Sequence, residues 1–190
     1  MPRHILITGA GGRIGTALQA LYPNATCIEC ADIDLREQVP DFRGFDAVIH
    51  LASNLDDGLE ANADNIRITF NVLRGATRAN ITRLIWASSM TAEERQIAFP
   101  VTWYGRTKRA QEMLLDAWCA EKSERRAVAL RFGHFCPGSQ PPPEHELLRL
   151  RPSGLAFWVG RALSHVQPGL TIWNALGGVD ESGISATGNR

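Results

Sequence analysis

Tyr104 and Lys108 stand four residues apart in the stretch YGRTK, a spacing that places both on one face of a helix. A phenol titrates near 10 in water, too high for a base at neutral pH, and an ammonium beside it favours the phenolate and lowers that value. The pair makes a proton-transfer site once a substrate oxygen is held next to it. Ser89 or Ser88, at the end of the apolar run LIWASS, offers a hydroxyl for that purpose. Much earlier, TGAGGRIG sets Gly9, Gly12 and Gly15 directly behind another short apolar run. Glycines so placed permit a tight turn, close approach of the backbone to a pyrophosphate and close packing of helix on strand. Exposed amides at the helix start, carrying about half a positive charge, then face the anion. Each motif has a plain alternative: Tyr-x-x-x-Lys is common on helix surfaces, and glycines often only turn the chain. Their order along one chain is what gives them weight.

These groups need a frame. HILIT (4–8) is apolar and β-branched and stops at glycine, and RIGTALQALY (13–22) then sets Ile14, Ala17, Leu18 and Leu21 at helical spacing. ATCIEC (25–30) and DAVIHLAS (46–53) read as buried strands, continuous in hydrophobicity as parallel strands are when both faces are covered. Residues 63–79 read as a helix, 83–89 as a strand, 101–122 as a helix and 126–132 as a strand. This alternation predicts right-handed crossovers and an α/β fold, a Rossmann-type doubly wound parallel sheet. After Phe132 come a Gly/Pro-rich connection, a helix over 153–165 and a short strand over 170–175. One domain is expected over 1–176, with a small substrate-side region from about 133, and a polar tail at 177–190 with little to bury.

The 190 residues carry no net charge and no dense block of Lys or Arg, which argues against a nucleic-acid partner. No apolar run approaches a membrane span, and MPRHILITG is too short for a signal-peptide core, so the cytoplasm is the expected compartment. Cys27 and Cys30 invite a metal reading. Residues three apart in a strand point to opposite faces, however, and no second pair completes a zinc site. All four cysteines, with Cys119 and Cys136, are expected to be buried thiols, with no bound metal.

The succession TGAGGRIG, DAVIHLAS, NIRITFNVL, WASSM, YGRTK and LRFGHFCPG resembles the extended short-chain dehydrogenase/reductase superfamily over residues 3–175, in its NAD-dependent epimerase/dehydratase group. Within that group it is most similar to the uronate dehydrogenases. The resemblance implies that Gly9, Gly12 and Gly15 form the pyrophosphate loop with Arg13 and Ile14 against the phosphates, and that Leu51, Ala52 and Ser53 pass over the nicotinamide-side ribose. Asn65 would steady the active-site strand beside the cofactor. Ser89 would hold the substrate oxygen, Tyr104 move its proton, and Lys108 bind the ribose while lowering the tyrosine's pKa. Phe132, Gly133 and His134 would line the substrate pocket. The implied activity is NAD-dependent oxidation of a sugar or sugar acid, with a sugar-nucleotide epimerase or reductase, or a non-catalytic cofactor sensor or inactive shortened relative, as the alternatives. A homodimer through the helices at 60–79 and 102–122 is also implied, although their apolar residues serve equally well as internal core.

The pattern is broken in three places. About thirty residues separate Gly15 from Asp46, so one βα unit is shortened. ECADIDLRE then either ends the second strand, with Asp32 on the adenosine ribose, or supplies Asp34 and Leu35 to the adenine. An acid there favours NAD, and Arg36 leaves NADP open. The loop after Ser89 is compact and charged, and the C-terminal substrate region is truncated. Arg149 and Arg151 could grip a substrate carboxylate as a bidentate fork, or serve as solvated surface charges. His50 reads as a satisfied core histidine.

Overall fold

A computed structural model describes residues 2–93, 101–137 and 143–178, the first three of the last stretch in backbone alone. Most of the loop expected after Ser89, and of the polar tail, lies outside these residues. Six parallel strands, β1 (Ile5–Thr8), β2 (Thr26–Ile28), β3 (Ala47–His50), β4 (Arg83–Ser89), β5 (Arg126–Phe132) and β8 (Gly169–Ala175), form one sheet in the order β2-β1-β3-β4-β5-β8. Two-residue strands β6 (His134–Phe135) and β7 (Arg149–Leu150) pair beside it.

Alternation along each buried strand builds two hydrophobic layers. Ile5, Ile7, Ile49, Ile85, Val128 and Leu130 pack on one face with Leu18 of α1 (Arg13–Leu21) and Leu155, Val159 and Leu163 of α4 (Pro152–Ser164). Leu6, Val48, Leu84, Trp86, Ala127 and Ala129 pack on the other with Ile68 and Val72 of α2 (Leu59–Arg78) and Leu115 and Trp118 of α3 (Trp103–Ala120). Thr102 caps α3, its hydroxyl accepting the Gly105 amide at 3.0 Å.

The shortened unit is visible between β2 and β3. Residues 29–46 form turns and bends instead of a strand and helix. Phe42 and Leu35 are buried against α2, and Asn71 donates to the Leu35 carbonyl at 2.9 Å, so this segment lies against a face of the sheet without extending it. The chain leaves β1 outward to β2 and returns on the far side at β3, and that reversal opens a crevice at the carboxyl ends of the two strands. Among the described residues no helix is long and apolar enough to cross a membrane.

Candidate functional site

The crevice holds a cavity of about 690 Å³, of a size that takes a small-molecule ligand. Gly9, Gly12, Arg13, Ile14 and Gly15 line it at the end of β1. Gly9 adopts φ +71°, and a Cβ there would lie 2.5 Å from the Ala52 amide nitrogen. A Cβ on Gly15 would lie 2.4 Å from the Ala10 carbonyl oxygen, so α1 sits hard on the loop only because that residue is glycine. Gly12 differs: a Cβ there meets nothing nearer than the Gly9 oxygen at 3.4 Å. It is also the N-cap of α1, with no side-chain cap and no acid in the first turn, leaving that turn's amides for an external anion.

Leu51, Ala52 and Ser53 follow β3 along the cavity wall. Asn65 does not line the cavity. Buried in α2, it accepts the Asn54 amide at 2.8 Å and the Ser53 hydroxyl at 3.1 Å, and donates to the Asn54 carbonyl at 2.8 Å. It holds the loop after β3, where the sequence placed it beside the cofactor.

Ser89, Tyr104 and Lys108 meet in the same cavity. Ser89 Oγ accepts the Thr91 amide at 3.2 Å and lies 2.9 Å from the Thr91 hydroxyl. Ser88 lines the wall too, but its hydroxyl donates inward to Glu112 at 2.7 Å, which leaves Ser89 as the hydroxyl for a ligand. Lys108 is buried, donates to the Ala87 carbonyl at 2.9 Å and sits 5.4 Å over the Tyr104 ring. Burial pushes the Tyr104 phenol up to about 12 against the opposing pull of the Ser53 hydroxyl. The expectation that Lys108 lowers this value is not met, because Lys108, itself brought down to about 7, has lost its charge before a phenol near 12 ionises. Burial also takes Lys108 down to about 7, and Glu112 works against that fall.

Beneath the pair runs a charged network. Glu112, 1% exposed, accepts from Arg131 Nε and Nη2, both at 2.8 Å, and from Arg109 at 3.1 Å, and Arg131 also pairs with Glu93. Burial pushes the Glu112 carboxyl up, but the Arg131 fork and the Ser88 hydroxyl outweigh it and hold the group below its ordinary value. His50 contacts Thr8 Oγ1 through Nδ1 at 2.7 Å, while its Nε2 has no hydrogen-bond partner and the ring lies 4.1 Å from that of Trp86. It is a core histidine satisfied on one side only.

Asp34 and Leu35 line the cavity, Asp34 tied to Arg36 at 2.6 Å and held to about 2 by it. Asp32 does not line it: its carboxylate accepts the Glu29 amide at 2.8 Å within a turn. Glu29 faces the cavity instead, close enough to the loop that a Cβ on Gly11 would lie 2.8 Å from Glu29 Oε2. Glu29 was missed, although it is the residue just past Ile28, which registers with Thr8 at the end of β1. Cys30 also lines the cavity and is exposed, and Cys27 and Cys136 are half-buried, so only Cys119 fits the expected buried thiol.

Phe132, Gly133 and His134 line the wall beyond β5. A Cβ on Gly133 would lie 2.0 Å from the Leu148 oxygen, which locks this wall against the segment leading into β7. Arg149 pairs through its backbone with His134 across β6 and β7 but does not line the cavity, and Glu146 lies 3.5 Å from its guanidinium. The same glutamate lies 3.7 Å from Arg151. Neither arginine is a solvated surface charge, and neither lines the cavity.

Residues 5–151 match the NAD dependent epimerase/dehydratase family. No curated protein matches the chain. Among solved structures, glucuronic acid dehydrogenase from Chromohalobacter salexigens is similar at TM-score 0.77 and 18% identity, over 93% of this chain and 77% of that one. Uronate dehydrogenase from Agrobacterium tumefaciens is similar at 0.75 and 18%, over 91% and 76%. UDP-glucose 4-epimerase from Bifidobacterium longum, solved with NAD+ and UDP, is similar at 0.71 and 18%, over 91% and 78%. At these identities the likeness shows the shared fold.

Proposed function

The chain belongs to the NAD dependent epimerase/dehydratase family, and from that premise we propose that it is an NAD-dependent oxidoreductase acting on a hydroxyl of a sugar or sugar acid. One observation carries the reading: a single cavity joins an uncapped glycine-lined helix start, an acid at the end of β2 and the Ser89, Tyr104 and Lys108 cluster. These residues fit the cofactor. The amides of α1 suit a pyrophosphate, and Glu29, rather than Asp32, suits the adenosine ribose hydroxyls, an arrangement that disfavours an added 2′-phosphate.

Bound NAD supplies a hydride acceptor. Ser89, whose Oγ accepts the Thr91 amide, offers its proton to the substrate oxygen. Tyr104, as phenolate, takes the hydroxyl proton as hydride leaves the same carbon. With burial placing the phenol at about 12, the phenolate requires a charged Lys108 near the hydroxyl in the working complex. Lys108 uses one N–H on Ala87 and has two left for the ribose and that task. We take residues 1–176 as one cofactor-binding unit, with Phe132, Gly133 and His134 facing the substrate.

The test is NAD reduction over a panel of hexuronates, neutral hexoses and UDP-hexoses. Turnover of a hexuronate supports the uronate-dehydrogenase-like reading. Isomerisation of a UDP-hexose without net NAD reduction identifies an epimerase, and NAD binding with no turnover identifies a cofactor sensor.

A further inference from the structure

We propose that Glu112 is a positioning residue for the Tyr104 and Lys108 pair, its carboxylate docking α3 on the ends of β4 and β5 and serving as the buried counter-charge of Lys108. Its part in turnover rests on the oxidoreductase reading above. The side chain lies one helical turn beyond Lys108, on the same face of α3. Every side of the carboxylate is engaged: Oε1 by Ser88 of β4 and Nε of Arg131 of β5, and Oε2 by Nη2 of Arg131 and by Arg109. Those two strands carry Ala87, which receives the Lys108 hydrogen bond, Ser89 and Phe132. The network therefore fixes α3, and with it Tyr104, relative to the groups a substrate would meet.

Packing alone does not require a charge here, since a buried ion pair is often replaced by apolar side chains at no loss of stability. An apolar pair would supply no negative charge beside Lys108. The groups facing that ammonium are Tyr104 and Glu112 on its own helix, the Ala87 carbonyl of β4 and His50 of β3. His50 is held neutral by burial and by the nearby Lys108, so it adds no counter-charge. Arg131 of β5 is forked onto Glu112 and met by Glu93, and Arg109 adds a further cation to Glu112. Among the described residues, Glu112 is the anion whose field supports the Lys108 proton.

The chain has only two lysines, Lys108 and the exposed Lys122, so ε-carbon-labelled lysine gives two signals whose titrations read the buried site against an internal reference. Glu112→Gln should lower the proton affinity of Lys108 at least about tenfold and leave Lys122 unmoved. Where Glu112→Gln does not fold, the double variant Glu112→Gln with Arg131→Met removes the pair together, and the Lys108 midpoint should still lie below that of wild type. An unchanged Lys108 midpoint in the folded variant overturns the proposal. In parallel, the pH at which NAD affinity declines should move down by the same amount as the midpoint, and a decline that stays at the wild-type pH also overturns it. Failure of the wild-type protein to bind NAD removes the oxidoreductase reading and leaves the Lys108 titration to judge Glu112 alone.

Discussion

Lys108 Nζ lies 5.4 Å over the ring of Tyr104 and gives its hydrogen bond to the Ala87 carbonyl, so the fold holds the amine and the phenol together while burial keeps the phenol protonated. A ligand that draws the ammonium toward the phenolic oxygen converts this resting pair into a working one.

Tyr104→Phe removes the proton acceptor without disturbing α3, whose N-terminus is set by Thr102. Turnover should fall about 10²- to 10⁴-fold while NAD affinity stays within about twofold, measured by steady-state rates and calorimetry. Retained turnover would assign the proton to another group.

Lys108→Met should stabilise the fold and weaken the cofactor. The unfolded chain protonates this lysine below 10.5 and the folded protein only below about 7. Between those values the unfolded state holds the extra proton, so stability rises with pH and the full cost of burial is present below about 7. At pH 6 the variant should gain up to a few kcal/mol in urea denaturation, with the gain shrinking toward pH 10. NAD binding to wild type should weaken as pH climbs through about 7, and to the variant should not vary there.

The histidine acts in the acid range. Burial, with Lys108 adding to it, lowers His50 to about 3, against 6.5 in the unfolded chain. The unfolded chain takes up this proton as pH falls below 6.5, so stability drains away between 6.5 and about 3, by at most about 1.4 kcal/mol per unit. His50→Gln should flatten that decline relative to wild type in parallel urea titrations at pH 6.5 and 4.5. Parallel slopes would place the ionisation elsewhere.

Two glycines of one loop should separate folding from binding. Gly15→Ala forces a Cβ to 2.4 Å from the Ala10 oxygen and should cost about 2 kcal/mol or more. Gly12→Ala meets only the Gly9 oxygen at 3.4 Å and should cost about 1 kcal/mol or less, yet weaken NAD at least about tenfold by filling the approach to the α1 amides. Equal losses of stability and affinity in both would make the loop a structural turn.

The cofactor preference is placed in Glu29. Glu29→Ala should relax discrimination against NADP, with affinity for NADP rising relative to NAD in paired titrations, whereas Asp32→Ala should leave the ratio as it is. A change in the Asp32 variant alone would restore the assignment drawn from sequence.

The strands and helices were legible because each buried run is continuous and each helix shows its apolar stripe, so 83–89 and 126–132 match the observed β4 and β5. Glu29 was not legible. ATCIEC carries no mark of where pairing stops, and only the register of Ile28 with Thr8 shows that the strand ends one residue before Glu29. Arg149 was misplaced for a related reason, since its position is set by pairing with His134, a contact between two-residue strands without periodicity. The spacing of Tyr104 and Lys108 was readable, but the burial that shifts both groups is a property of the packed strand ends and α3.

The central claim is that the cavity over the strand ends holds NAD. Calorimetric titration of the wild-type protein with NAD at pH 6.5 should give saturable one-to-one binding that is weakened by Gly12→Ala; absence of binding by the folded wild-type chain would contradict the account.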